Sequence, residues 1–313
     1  MSVQSVLTNL FLRWQFKPKP GARLDVGVVR AGIQKRAALN ARPPKDISRS
    51  AVAPQWDRGL CPAEWLSTLD PEYTVLYFHG GGYFFCGLDT HRPIGAYLAR
   101  TANARLLSVD YRMAPEHPFP AAVDDAVAWY RELLRQGVAP ENFVVAGDSA
   151  GGGLALACLL AARDQGLSMP AGALLYSPWV DLACAGETYR TLARADVMFT
   201  PDALPQAAAL YLNGRSPKEP LASPLYADLR GLPPLHIFAS RHEILLADAT
   251  RLHERAQAAG VRSDLSLRTR LPHVWPTMVM LPEARESLRE SAAFIHRVCA
   301  PAQAVGTAAL RAA

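Results

Sequence analysis

Residues 143 to 164 constrain this chain most. There an apolar run, Phe143-Val144-Val145-Ala146, passes into the helical run Ala150 to Asp164 with only Gly147-Asp148-Ser149 in between. A strand and a helix joined that tightly need a turn whose central residue, Ser149, takes a strained backbone, with glycine two positions to either side so that neighbouring backbone can approach. The turn lifts the Ser149 hydroxyl above a sheet edge at a helix N-terminus, where the helix dipole favours developing negative charge. A bare Gly-x-Ser-x-Gly occurs by chance, but between a strand and a helix it marks Ser149 as a candidate nucleophile.

The remainder of the chain repeats the same alternation. Short apolar runs at 74–79, 105–111, 143–147, 173–177, 235–239 and 264–267 are separated by helical stretches at 92–101, 121–136, 150–164, 245–259 and 283–299. Near-continuous apolar strands between helices predict an α/β fold with a doubly wound, mostly parallel sheet covered on both faces. One interval breaks the rhythm: more than fifty residues separate 177 from 235 and carry only helix and loop signals, including 202–212. A connection that long in a compact domain is usually a functional excursion.

At the N-terminus Val3, Val6, Leu7, Leu10, Phe11 and Trp14 draw one apolar stripe down an opening helix, and a second helix is expected over 24–39 before Pro43-Pro44. A membrane-surface helix would line its polar face with Lys and Arg, whereas this face offers Gln4, Thr8, Asn9 and Arg13. The stripe is therefore expected to dock on the protein's own body and, with the long interval, to form a lid. The expected organisation is an N-terminal helical cap segment at 1–55, a first part of the catalytic core at 56–182, a cap insertion at 183–222 and a second core part at 223–313. The last dozen residues, rich in Ala, are expected to fray.

Composition removes several alternatives. Half of the 313 residues are hydrophobic and 19% are charged, which supplies a core and argues against disorder. The 33 basic and 28 acidic residues leave a net charge of +5, but only five of the basic residues are Lys and the Arg are scattered, so no nucleic-acid stripe forms. Five cysteines, odd in number and without Cys-x-x-Cys, read as free thiols in a reducing compartment and as neither a disulfide frame nor a metal site. The first positive side chain is Arg13, and polar residues interrupt the opening stretch, so no signal peptide is expected and the cytoplasm is the expected location. The longest weakly polar run, 150–162, falls short of the roughly 20 apolar residues that stable membrane insertion needs.

A second motif, His79-Gly80-Gly81-Gly82-Tyr83, ends the first confident strand. Consecutive glycines cost stability unless bare N–H groups must approach something, and here the motif matches the oxyanion loop of lipases and esterases. Gly81 and Gly82 N–H would join Ala150 N–H about 2.7 to 3.1 Å from the oxygen of a tetrahedral intermediate. His79 reads as a brace for this loop.

A serine nucleophile needs a base and an acid that fixes the base's tautomer, in the chain order Ser, Asp or Glu, His. Of eight histidines, five follow Ser149. His236 lies in a strand, His253 and His296 lie in helices, and His242 immediately precedes Glu243 and cannot easily fold back onto its neighbour. His273, in Leu271-Pro272-His273-Val274-Trp275, follows the last strand in a loop and is the expected base. The acid is Glu243 or Asp248. Glu243 sits in the loop after 235–239, whereas Asp248 falls more than a turn into the next helix, so Glu243 is favoured.

These residues resemble the bacterial esterases of the hormone-sensitive-lipase family, within the α/β-hydrolase fold. The likeness is carried by 79–83, by Asp110-Tyr111-Arg112-Met113-Ala114-Pro115-Glu116-His117-Pro118-Phe119-Pro120, by 147–152, by Ser177-Pro178-Trp179-Val180-Asp181-Leu182 and by 273–275. The family often has Asp in an Asp-Pro-Leu-x-x-Asp-like stretch where this chain reads Glu243-Ile244-Leu245-Leu246-Ala247-Asp248, and a subset of relatives uses Glu. The resemblance implies a helical cap, and the Asp110–Pro120 segment looks like a brace beside the glycine loop. It also implies hydrolysis of small-molecule esters with short to medium acyl chains, or of lactones or amides by the same residues, without cofactor or metal. A homodimer is compatible with it. Tyr83, Phe84, Trp179, Met198, Phe199, Tyr211 and Trp275 are candidates for an apolar pocket wall. The same fold serves plant hormone receptors with an incomplete triad, whereas here nucleophile, acid and base are all present.

Overall fold

The computed structural model describes residues 1–37 and 43–299. Each of the six apolar runs forms a strand: β3 (Tyr73–Phe78), β4 (Ala104–Val109), β5 (Phe143–Asp148), β6 (Gly172–Tyr176), β7 (Leu235–Ser240) and β8 (Ser263–Arg268). Two strands at the N-terminal edge, β1 (Ser48–Val52) and β2 (Ala63–Ser67), complete one sheet in the order β1-β2-β4-β3-β5-β6-β7-β8. β1 and β2 run antiparallel, β2 runs antiparallel to β4, and every pair from β4 through β3 to β8 is parallel.

Each helix packs where the period-2 alternation of a strand sends apolar side chains. In β3, Leu76 and Phe78 enter one core cluster, beside α4 (Ala121–Arg135), α5 (Ala150–Asp164) and α8 (Leu246–Ala258). Val75 and Tyr77 enter the other, beside α3 (Leu88–Ala102) and α9 (Pro282–Val298). Both faces of the central strands are dry, which is why these strands read as unbroken apolar runs.

The expected N-terminal boundary moves. β1 pairs with β2, so the sheet begins at Ser48, inside the segment expected to be cap alone. β1 is exposed along most of its length, and β2 hides a charge, because Glu64 is buried against the Arg92 guanidinium (Nε–Oε1 2.7 Å). Neither strand presents the apolar alternation that reveals the others.

α1 (Val3–Gln15) and α2 (Val26–Ala37) lie over the strand ends together with the excursion between β6 and β7, which contains α6 (Thr188–Thr191) and α7 (Ala203–Leu212). Hydrogen bonds join them. Arg13 donates to the Arg194 carbonyl, Lys17 to those of Ala193 and Asp196, Gly21 N–H to Asp202, and Leu24 N–H to Gln206. Leu12 packs with Val197 and Met198. The expected burial of the α1 stripe is overturned: Val3, Val6, Leu7, Leu10, Phe11 and Trp14 are exposed, while Ser5 and Leu12 are the buried residues of the helix. The polar side of α1 makes the bonds to the body, so its apolar side faces outward. Residues 38–39 of the second expected helix and the Ala-rich tail fall outside the described residues.

Candidate active site

Ser149 stands alone between β5 and α5 with φ 52° and ψ −121°, a strained backbone for a non-glycine residue. Its N–H donates to Tyr176 O at 2.8 Å, and its carbonyl accepts from Gly152, Gly153 and Trp179 N–H. A Cβ on Gly147 would lie 2.2 Å from the Gly151 carbonyl oxygen, so the turn closes only with glycine there.

His273 Nε2 lies 2.9 Å from Ser149 Oγ, and its Nδ1 lies 2.5 Å from Glu243 Oε2. Both His273 and Glu243 are almost wholly buried. The second carboxylate oxygen, Oε1, accepts from Ser240 N–H at 2.7 Å and from the Ser177 hydroxyl at 2.9 Å. Val274 N–H donates to Ser177 Oγ at 3.2 Å, which leaves the Ser177 proton directed at Glu243. Phe199 packs edge-on against the His273 ring at 4.9 Å between centroids. The other acid candidate, Asp248, is committed elsewhere: its Oδ2 accepts Val180 and Asp181 N–H at 3.0 and 2.9 Å. Burial, and then the nearby Asp181, push the Asp248 carboxyl well above the usual carboxylate range. His236, His253 and His296 bond to Ser266, Ser263 and the Ala102 carbonyl, and His242 accepts from Arg270 N–H.

The glycine loop is tied to the turn that carries Ser149. Gly80 N–H donates to Asp148 Oδ1 at 3.0 Å, and the same carboxylate takes the Tyr77 hydroxyl at 2.7 Å and His91 Nε2 at 3.2 Å. Burial opposes ionisation of Asp148, but His91 and the Tyr77 hydroxyl outweigh it and hold the carboxyl below its usual range. Gly81 has φ +113°, and a Cβ there would fall 2.0 Å from Phe85 O. The Asp110–Pro120 segment bonds to this loop: the Tyr111 hydroxyl donates to His79 O at 2.7 Å and Ala114 N–H to Tyr83 O at 2.9 Å. His79 stacks on Tyr111 at 4.3 Å, and burial, followed by its neighbour His91, lowers its pKa to about 4. The N–H groups of Gly81, Gly82 and Ala150 donate to no backbone acceptor among the described residues.

A cavity of about 360 Å³ opens above Ser149 and His273. Its walls away from Ser149 and His273 are largely apolar: Leu12 and Phe16 from the first helix and its end, Leu24, Val29 and Ile33 around α2, and Ala203, Leu204 and Ala207 from α7, with Thr90, His91 and Thr277 among the polar lining residues. Of the candidates for the pocket wall, Phe84, Met198 and Phe199 line this cavity and Tyr83, Trp179, Tyr211 and Trp275 do not. Tyr83 follows Gly82 with φ 65°; its ring stacks on Tyr211 at 3.8 Å and meets Trp179 at 6.2 Å, behind the wall. Trp275 donates its indole N–H to Ser287 in the core.

Sequence reasoning missed Ser177, Ser240 and Asp196. Asp196 is buried and accepts N–H groups from Met198, Phe199 and Ile244, linking the cavity wall to the Glu243 loop. Small polar residues in loops leave no periodic signal, although Ser177 directly follows an expected strand. Among the described residues no three metal-ligating side chains cluster.

The alpha/beta hydrolase fold family matches residues 75–277. The chain belongs to this family. Within it, an acetyl-hydrolase from Streptomyces hygroscopicus is 43% identical over 239 residues, 76% of this chain and 80% of the relative. The crystal structure of EstE5, soaked with p-nitrophenyl butyrate, superposes with a TM-score of 0.88 at 41% identity, covering 95% of this α/β hydrolase and 99% of EstE5. An esterase from the bacterial hormone-sensitive lipase family superposes with a TM-score of 0.88 at 37% identity over 96% of this chain and 99% of that one.

Proposed function

We propose that Ser149 is the nucleophile, His273 the general base and Glu243 the acid that fixes the base, in a serine carboxylesterase acting on short- to medium-chain esters. The chain is a carboxylic ester hydrolase. The observation that carries the assignment of roles is the continuous buried line Glu243 Oε2–His273 Nδ1 at 2.5 Å and His273 Nε2–Ser149 Oγ at 2.9 Å. Ser149 Oγ attacks the ester carbonyl carbon as its proton passes to His273 Nε2, and the carbonyl oxygen becomes an oxyanion held by Gly81, Gly82 and Ala150 N–H. His273 then protonates the leaving alkoxide. A water gives a proton to the same nitrogen as its oxygen attacks the acyl carbon, and His273 passes that proton to Ser149 Oγ as the carbon–Oγ bond breaks and the acid leaves. Glu243 stays ionised and keeps the proton on Nδ1.

The cap consists of residues 1–37 and 183–222, and the apolar cavity beneath it receives the acyl chain against Phe84, Met198 and Phe199. The five cysteines are free, which suits the cytoplasm, and none of the described helices is long and apolar enough to cross a membrane. The test is covalent labelling with a small phosphonate alongside kcat/KM on p-nitrophenyl butyrate. Ser149→Ala loses both, and His273→Ala loses several orders of magnitude in turnover, while the double variant is little worse than either because the group acts as a unit. Wild-type-like turnover in either single variant removes that residue from the reaction.

A further inference from the structure

α1 is amphipathic in the inverted sense. Ser2 bonds Glu283, Asn9 donates to Arg270 O and Arg13 donates to Arg194 O, so the polar side grips the body. The outward side is a continuous apolar stripe, with Val3 73%, Leu7 61%, Leu10 60%, Phe11 51% and Trp14 81% exposed. Isolated exposed apolar residues need no explanation, but a contiguous stripe of them marks an interaction surface. The surrounding charge is predominantly basic, although Glu283 accepts from the Ser2 hydroxyl, Asp202 accepts from Gly21 N–H and Asp196 lies beside Lys17. Residues 1–24 carry Arg13, Lys17, Lys19 and Arg23 and no acidic side chain. The exposed Arg194 and Arg270 stand against the helix through the bonds just described.

We propose that this face adsorbs to an anionic phospholipid bilayer surface, with the α1 stripe in the interfacial region and the basic rim on the headgroups. Charge complementarity selects this occupant. A second copy docking by the same face would bring two basic rims together around a two-fold axis, whereas anionic headgroups neutralise the rim. The stripe, ending in Trp14, supplies the buried apolar area that interfacial helices need. The other side of the first helix carries Leu12, with Phe16 just beyond its end, into the cavity above Ser149, so adsorption would hold that cavity beside the lipid.

The test is co-sedimentation of the full chain with vesicles of phosphatidylcholine alone and with about 30 mol % phosphatidylglycerol added, at low and high salt. The protein sediments with the anionic vesicles at low salt and is released at high salt. Leu7→Gln/Leu10→Gln/Trp14→Gln lowers its partitioning by at least about tenfold. Lys19→Gln/Arg23→Gln lowers it by more than about tenfold on anionic vesicles only. Turnover of a water-soluble ester stays at the wild-type level in both variants, which separates adsorption from folding and catalysis. Equal sedimentation of the triple variant and wild type overturns the proposal. So does light scattering that finds a dimer lost in the triple variant without vesicle binding, which would make the stripe a contact between copies.

Discussion

Glu243→Gln exchanges one oxygen for an amide nitrogen, and the surroundings decide which one. Ser240 N–H and the Ser177 hydroxyl both donate to Oε1, and the Ser177 proton is committed there because Val274 N–H occupies its lone pair. The glutamine carbonyl oxygen must take that site, since turning the NH2 group towards it would set donors against two donors in a buried place and leave them unsatisfied at about 1–3 kcal/mol each. The NH2 group then faces His273 Nδ1, which must become an acceptor. The imidazole proton moves to Nε2 and points at Ser149 Oγ, so the nitrogen that should take the serine proton already holds one. Loss of the correct tautomer is worth about 10⁴ in kcat for a serine–histidine–carboxylate site. The expected result is a fall of about 10³ to 10⁴ in kcat on p-nitrophenyl butyrate with little change in KM. Phosphonate labelling slows in parallel, and thermal stability stays close to wild type. Ser177→Ala leaves Ser240 N–H in place and should cost only about tenfold or less. Activity of Glu243→Gln within tenfold of wild type would refute this reasoning, and so would a larger loss in Asp248→Asn.

Asp248→Asn has its own expected signature, in stability. Because burial, and then Asp181, raise the folded-state pKa, the fold favours the protonated carboxyl: the penalty is absent below the unfolded pKa of about 4 and grows as pH rises from there towards the raised value. The asparagine oxygen can keep both backbone bonds, so melting temperature should rise relative to wild type at pH 8 and converge with it near about pH 4. A variant less stable than wild type at pH 8 counts against a protonated Asp248. Removing the buried partner of Arg92 by Glu64→Ala should cost about 3 kcal/mol in urea unfolding, with Asp89 still offering a partial partner. A loss under about 0.5 kcal/mol would show that the pair contributes little. In acyl-chain selection, Ala207 lines the cavity, its Cβ 3.6 Å from where a Cβ on Gly82 would sit. Wild type should gain about fourfold in kcat/KM per added methylene while the chain still enters the cavity. Ala207→Phe should lose that gain from butyrate to octanoate, and an unchanged chain-length profile would place the acyl group elsewhere.

Much of this molecule is legible locally. The turn at Ser149 and the parallel strands β3 to β7 follow from contiguous residues, since strands buried on both faces are largely apolar and the turn must be flanked by glycine; β8, half-exposed at the sheet edge, is legible from Leu265 and Leu267. The order Ser149, Glu243, His273 is legible because each stands where a strand ends, at the one sheet edge that can bring them together. β1 and β2 escape for the opposite reason: β1 is polar and exposed, and the charge of Glu64 is legible as core only once Arg92, far along the chain, is seen to neutralise it.

What tertiary structure alone decided is which side of each element meets which partner. Periodicity identifies the apolar stripe of α1 without saying what it faces, and the hydrogen bonds of Ser2, Asn9 and Arg13 turn it outward. Aromatic residues near the motifs are equally suited to a core or a cavity. The positive φ of Tyr83 sends its ring inward to Tyr211, and the wall is formed by Phe16, Phe84 and Phe199 together with aliphatic residues of α1, α2 and α7. The position of Glu243 in the loop after β7 is legible, whereas the partners that hold the two carboxylates, Ser177 and Ser240 for Glu243 and the backbone of 180–181 for Asp248, are set by contacts that the local sequence does not show. Sequence determines the elements and their chemistry through nearest-neighbour sterics and burial. The fold determines orientation, because hydrogen-bond satisfaction is a property of the assembled whole.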